Sequence, residues 1–186
     1  MGKKTITGTK NVYELAQERL KVIFNEFDNI YVSFSGGKDS GVLLNMCIDY
    51  IRRNNLKIRL GVFHMDYEIQ YKMTIDYVDR ILEANKDILD VYRVCVPVYN
   101  TTMCDYEFRM RFAQWLHQKK DAVRTCCLIG IRTQESFNRW RCIYMSRKFQ
   151  MYHKYRWTSK VGNDIYNAYP IFDWKPTAGW TANGKF

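Results

Sequence analysis

Six consecutive residues, Ser35-Gly36-Gly37-Lys38-Asp39-Ser40, bring together two hydroxyls, a lysine, a carboxylate and two glycines. The chemistry they suit is the holding of phosphate. Paired glycines let the backbone turn tightly and approach an anion with no Cβ in the way. If a helix begins here, its first amides aim at the anion with the positive end of the helix dipole behind them. Ser35 and Ser40 add hydroxyl donors and Lys38 a mobile cation, while Asp39 suits either a helix cap or a metal-bound water. The spacing is not G-x-x-x-x-G-K-[ST], because Asp39 follows Lys38, and it is not G-x-G-x-x-G. A plain strand-to-helix turn would also use Gly-Gly; a strand before, a helix after and a serine at each end favour phosphate.

Such a loop needs both neighbours, and the flanking sequence predicts them. Ile30-Tyr31-Val32-Ser33-Phe34 is short, β-branched and aromatic, as a buried strand is, and a helix is expected from about Ser40 to Arg53. Ahead of them, Val12, Leu15, Ala16, Leu20, Ile23 and Phe27 line one face of a helix. The pattern then repeats, predicting strands over Ile58–Met65, Val91–Pro97 and Cys126–Ile131 and helices over Tyr71–Ala84 and Tyr106–Gln118. Alternation of this kind predicts an α/β fold with a parallel sheet and helices on both faces, whose ligands bind beyond the carboxyl ends of the strands. After Gln134 a short helix to about Arg139 leads into aromatic and basic residues. The expected organisation is a core over residues 1–140 and a C-terminal lid or subdomain over 141–186. The ending at Phe186, with no polar fade-out, reads as a piece of a longer protein.

The chain has 186 residues, 47% apolar and 26% charged, which excludes global disorder and suits one domain. No apolar run approaches the roughly 18 residues of a membrane span, so a soluble cytoplasmic protein without a membrane partner is expected. Six cysteines with no C-x-x-C pair read as buried reduced thiols, with the adjacent Cys126-Cys127 keeping a metal or iron–sulfur role open. The net charge of +10 resides in Tyr106–Lys160, where 13 Lys/Arg face 3 Asp/Glu. That surface suits phosphates of a nucleotide or nucleic acid, or a protein partner, and equally a solvated face. Within it, Trp140, Tyr144, Tyr152, Tyr155, Arg156 and Trp157 interleave rings with cations, as single-strand binders do; the competing reading is a subdomain core with a charged face.

Ser35–Ser40 resembles the pyrophosphate-binding PP-loop of the N-type ATP pyrophosphatases and, more closely, of the phosphoadenylyl-sulfate (PAPS) reductase-like family. Phe63-His64-Met65-Asp66-Tyr67 resembles that family's second strand and following turn, Gly130-Ile131-Arg132-Thr133-Gln134-Glu135-Ser136 its G-x-R-x-x-E-S motif, and Tyr169-Pro170-Ile171-Phe172-Asp173-Trp174 its Y-P-I-x-D-W segment. Within the family the wording is most similar to the immunoglobulin-binding regulator A type. The resemblance implies a Rossmann-like (HUP) five-stranded parallel sheet that binds ATP or PAPS, with Mg²⁺ accompanying ATP. Phosphates would meet Ser35, Gly36, Gly37, Lys38, Asp39, Ser40, Gly130 and Arg132, and adenine the edge of the second strand at Phe63, His64 and Met65.

Each of these residues has a plainer role to set beside the implied one. Arg132 suits phosphate, or a salt bridge to Glu135; Asp66 suits Mg²⁺ or ribose, or a turn; His64 suits a satisfied core histidine better than a catalytic base. Glu135 and Ser136 suit shaping of their loop, and Arg139 and Arg141 suit solvated charges. Sulfite-forming members use a cysteine in a C-terminal E-C-G-L-H segment, and this sequence has none after Cys142. The cluster-binding pattern of the adenylyl-sulfate reductases is absent as well, so an iron–sulfur cluster is not expected. Ala178 and Gly179 stand where an acidic and a β-branched residue are usual, and the link from Pro97 to Tyr106 is short, as after a deletion. The activities implied are cleavage of ATP between its α- and β-phosphates with adenylyl transfer, or sulfotransfer from PAPS. A nucleotide sensor that meets nucleic acid through residues 106–160 is the alternative.

Overall fold

The computed structural model describes residues 10–67, 70–96, 101–145 and 151–184. A central strand β1 (Asn29–Ser33) pairs in parallel with β2 (Leu60–Tyr67) on one side and β4 (Thr125–Ile129) on the other. β3 (Leu89–Val96) extends the sheet beyond β2; β6 (Ile165–Ala168) lies parallel beside β4, and β5 (Thr158–Gly162) closes that edge antiparallel. The order is β3-β2-β1-β4-β6-β5. The expected five-stranded parallel sheet is therefore present with one further strand, the antiparallel β5.

Strand alternation sends Ile30 and Val32 of β1, and Cys126 and Leu128 of β4, into one core with α1 (Val12–Glu26), α2 (Lys38–Arg53), α3 (Lys72–Ala84) and α6 (Pro176–Asn183). Tyr31 and Cys127 point the other way, into a smaller core with Phe63, Met65 and the Phe112, Ala113 and Leu116 face of α4 (Thr101–Lys119). Thus α4 crosses to the face opposite α2 and α3. α1 starts at a capping box in which Asn11 accepts from the Glu14 amide at 2.9 Å and Glu14 accepts from the Asn11 amide at 3.0 Å. Its Ala16, Leu20 and Ile23 are fully buried, and truncating Leu20 to Ala would cost about 2–5 kcal/mol.

The C-terminal segment, expected as a lid or subdomain, supplies β5, β6 and α6 to the same sheet and core. Trp174 is 1% exposed and its indole donates to the Val12 carbonyl at 3.0 Å. Arg19 clamps Asp173 through two bonds of 2.6 and 2.7 Å and donates to the Pro170 carbonyl at 2.6 Å. The Tyr169–Trp174 motif is thus an anchor to α1. Of the aromatic and basic run, Tyr152 and Trp157 are core residues, whereas Trp140 and Tyr144 of α5 (Phe137–Tyr144) are exposed. The short link before Tyr106 falls partly on residues 97–100, outside the described residues, and α4 begins at Thr101.

Candidate functional site

The chain leaves β1 toward β2 on one side, while β4 enters on the other. A crevice opens where connections diverge in this way. Ser33, at the carboxyl end of β1, is level with Phe63 of β2 and Ile129 of β4. Phe34 adds one more ladder bond, its amide donating to the Phe63 carbonyl at 2.9 Å. The phosphate-loop residues then turn into α2.

Gly36 sits at φ +77°, and a Cβ there would fall 2.8 and 2.9 Å from the Thr74 and Val78 methyls of α3. Both the conformation and the space require glycine. Gly37 caps α2 with no side-chain bond, leaving the first-turn amides to an external acceptor. Ser40 closes the loop: its hydroxyl donates to the Gly37 carbonyl at 3.0 Å, lies 3.0 Å from the Ser35 hydroxyl and accepts from the Ser35 amide at 3.3 Å. Across the crevice, a Cβ on Gly130 would stand 2.9 Å from the Ser40 nitrogen and 3.0 Å from the Asp39 backbone. The chain after β4 is therefore pressed against the start of α2.

A chain of charges runs along this junction. Asp39 pairs with Lys38 and with Arg132, each at 3.0 Å. Arg132 also reaches Glu135 at 3.1 Å, and Glu135 in turn pairs with Arg139. Arg132 is 4% exposed, and its Nε and Nη1 have no partner among the described residues. Its guanidinium is not among the groups lining the cleft; it ties the loop after β4 to α2, a junction that Gly179 of α6 abuts, its Cβ position being 3.2 Å from Asp39 Oδ1.

The cleft itself has a volume of about 370 Å³ and is lined by Ser35, Gly37, Lys38, Ser40, Gly130, Arg109 and Arg139, with Asp39 and Glu135. A second cavity of about 190 Å³ adjoins it on the α4 face, sharing Ser33, Arg109, Ile129 and Ile131. Tyr31, Phe63, Met110, Cys127 and Tyr169 are among its walls. A larger groove of about 800 Å³ between α1 and α6, with Lys10, Asp173 and Lys175 among its walls, touches none of the loop residues. Arg109 escaped the sequence reading. It lies in the basic stretch one turn before Ala113, but its place at both cavities depends on α4 crossing the sheet.

The second-strand residues divide by face. Phe63 lines the cavity and Met65 is buried in the smaller core. His64 is fully buried on the opposite face, where Nδ1 lies 2.7 Å from the Phe34 carbonyl and donates to it, and Nε2 has no partner among the described residues. It fixes the strand end to the loop. Asp66 lies three residues past Phe63, about 10 Å further along the strand, and accepts from Arg93 at 2.8 and 3.1 Å. Asp39 and Asp66, the two carboxylates expected to meet Mg²⁺, are thus both engaged by cations, Asp39 by Lys38 and Arg132 and Asp66 by Arg93. With their oxygens turned to lysine and arginine side chains, the two do not form a shared metal site as they stand.

Cys126 and Cys127 face opposite sides of β4, so the pair cannot point at one cluster. Burial pushes the thiols of Cys47 and Cys126 upward and that of Cys127 up to about 12.

Comparisons with known proteins agree with this geometry. The phosphoadenosine phosphosulfate reductase domain matches residues 29–182. The uncharacterized protein YbdN of Escherichia coli K12 is 30% identical over 212 residues, an alignment covering 92% of this chain and 51% of that protein. The chain therefore spans about half the length of this curated relative. Among solved structures, Candida glabrata FMN adenylyltransferase in complex with FMN and the ATP analogue AMPCPP superposes with a TM-score of 0.63 at 17% identity, covering 97% of this chain and 60% of that one. The PAPS reductase of Candida auris, in its phosphate complex, gives 0.53 at 14% identity, covering 97% and 88%. The NH3-dependent NAD synthetase of Campylobacter jejuni gives 0.55 at 12%, covering 94% and 71%. At such identities the likeness is one of fold. With that family model matching residues 29–182, most of its length, and a glycine-built loop at the switch point of its sheet, the chain belongs to the phosphoadenosine phosphosulfate reductase domain family.

Proposed function

We propose that this protein binds an adenine nucleotide, with the phosphates on Ser35–Ser40 and the base in the cavity beside Phe63, and that ATP cleaved between its α- and β-phosphates is the matching chemistry. The observation that carries this is the uncapped first turn of α2 behind Gly36 and Gly37, opening on a cleft lined by Lys38, Arg109 and Arg139. An acceptor oxygen would attack the α-phosphorus, the bond to the bridging oxygen would break, and pyrophosphate would leave onto the loop. Its developing charge meets fixed amides and cations there. Arg132 acts in this reading as a positioning residue, holding Asp39 and Glu135. A cytoplasmic setting goes with it.

PAPS as donor is the second reading, supported by the family match. Against it, no cysteine lines the cleft among the described residues, and Cys127, in the adjoining cavity, is held as a thiol near a pKa of about 12. Attack on sulfur needs the thiolate. Calorimetric titration of ATP, PAPS and adenylyl sulfate, with and without Mg²⁺, against wild type and the double variant Ser40→Ala/Gly37→Val tests the proposal. Binding of ATP by wild type and its loss in the variant is expected. PAPS binding alone would move the assignment to sulfuryl transfer, and binding of none would remove the nucleotide.

A further inference from the structure

The described surface carries one aromatic array that the nucleotide site does not use. Phe137, Trp140 and Tyr144 follow one another at helical spacing along α5 and stack on one face, with centroids 5.8 and 5.4 Å apart and planes within 17° and 24°. They are 69%, 39% and 42% exposed. Ile143, 1% exposed, anchors the helix from its other side, and the edge of Phe172 meets Tyr144 at 6.3 Å. Core packing therefore does not account for the three rings. Arg141, exposed and four residues after Phe137, lies on the same side, and Arg139 of the same helix lines the phosphate cleft.

We infer that this ladder is a docking surface for single-stranded nucleic acid. Flat rings standing in water beside a guanidinium select a ligand with flat apolar faces and negative charge. The exposed Arg141 on the helix, and the balance of 13 Lys/Arg against 3 Asp/Glu along the sequence from Tyr106 to Lys160, favour a polyanion as the ligand. A duplex keeps its bases stacked on one another, out of reach of protein rings, so unpaired strands are the occupant. The inference rests on the ladder and stands apart from which nucleotide the cleft takes.

Fluorescence anisotropy of labelled 12-residue oligonucleotides, dT and rU single strands and a duplex of equal length, tests it on wild type, Trp140→Ala, Phe137→Ala/Arg141→Ala and Ser40→Ala. Circular dichroism confirms folding of each, and ATP calorimetry on the same samples reports the cleft separately. Single strands are expected to bind in preference to duplex, with quenching of tryptophan emission, a Kd about tenfold or more weaker in Trp140→Ala and in Phe137→Ala/Arg141→Ala, and ATP affinity unchanged in both. Absence of single-strand binding, or duplex binding of equal strength that the ladder variants leave intact, overturns the inference. So does oligonucleotide binding lost in Ser40→Ala and kept in Trp140→Ala, which would place the strand in the cleft. Self-association abolished by Trp140→Ala, without oligonucleotide binding, would make the face a protein interface instead.

Discussion

Arg132 Nη2 lies 3.0 Å from Asp39 Oδ2, joining residues 93 positions apart and fixing the loop after β4 to the first turn of α2. Both side chains are largely buried, at 5% and 11% exposure. Removing one partner of such a pair leaves the other desolvated without compensation, a loss of about 3–5 kcal/mol. Arg132→Met should destabilise toward the lower end of that range, because Asp39 keeps Lys38. Equilibrium urea unfolding checks this. A loss below about 1 kcal/mol would mean that the junction is held by packing alone. Nucleotide affinity should fall with it, although Arg132 does not line the cleft.

Gly130 makes a second, sharper test of the same junction. A methyl at this position meets backbone of Asp39 and Ser40 at 2.9–3.0 Å, and backbone cannot rotate away. Gly130→Ala should displace the start of α2, costing about 1–3 kcal/mol as overpacking does and abolishing phosphate binding. Gly162→Ala is the control, since its Cβ would find only ordinary contact with Ile165 at 3.4 Å. Thermal unfolding of the two variants should separate clearly; equal melting temperatures would contradict the close approach.

The sequence made the first half of the fold legible for a physical reason. Within Ile30–Phe34, Ile30, Tyr31, Val32 and Phe34 are buried in the middle of a parallel sheet, so the apolar run stands out, and Gly36-Gly37 marks its end. β5 and β6 are harder to see. Thr158–Gly162 is an edge strand of mixed polarity, and the turn through Asn163 and Asp164 needs φ +56° at Asp164, a signal carried by one residue. α6 starts at Pro176 but packs across the core with Gly179 beside Asp39, so no amphipathic stripe announces it. At the site, the loop and Gly130 were readable as motifs. What held Arg132 was not, because Asp39 comes close only through the β1–β4 register. Asp66 likewise found its partner, Arg93, across the β2–β3 pair.

Thiol chemistry should follow burial. Cys95 and Cys142 are exposed, whereas Cys47, Cys126 and Cys127 are buried with their thiols pushed up by desolvation. In a Cys104→Ser background, Ellman's reagent at pH 8 should label two cysteines rapidly and three more only on denaturation. Fast labelling of a third would show that one of the three buried thiols is open to solvent.

Asp28 governs an acid-sensitive contact at the entrance to β1. Its carboxylate accepts from the Val123 and Arg124 amides at 2.8 and 2.7 Å, joining the end of α1 to the start of β4. Partial burial raises its pKa, but those amide bonds and the Arg124 charge outweigh it and bring the carboxyl below its ordinary 3.8. A depressed folded pKa means that the native state binds fewer protons than the unfolded chain around pH 3–4. The stabilisation is therefore complete above pH 3.8 and lost as pH falls through the lower folded value. Asp28→Asn removes that ionisation while keeping one acceptor. Because the site is open to water, it should cost only about 1 kcal/mol at pH 7, and the difference from wild type should shrink as the solution is acidified below pH 3.8. Urea midpoints at pH 7 and pH 2.5 measure both. An equal difference at the two pH values would show that the carboxylate charge is not what holds the strand entrance together.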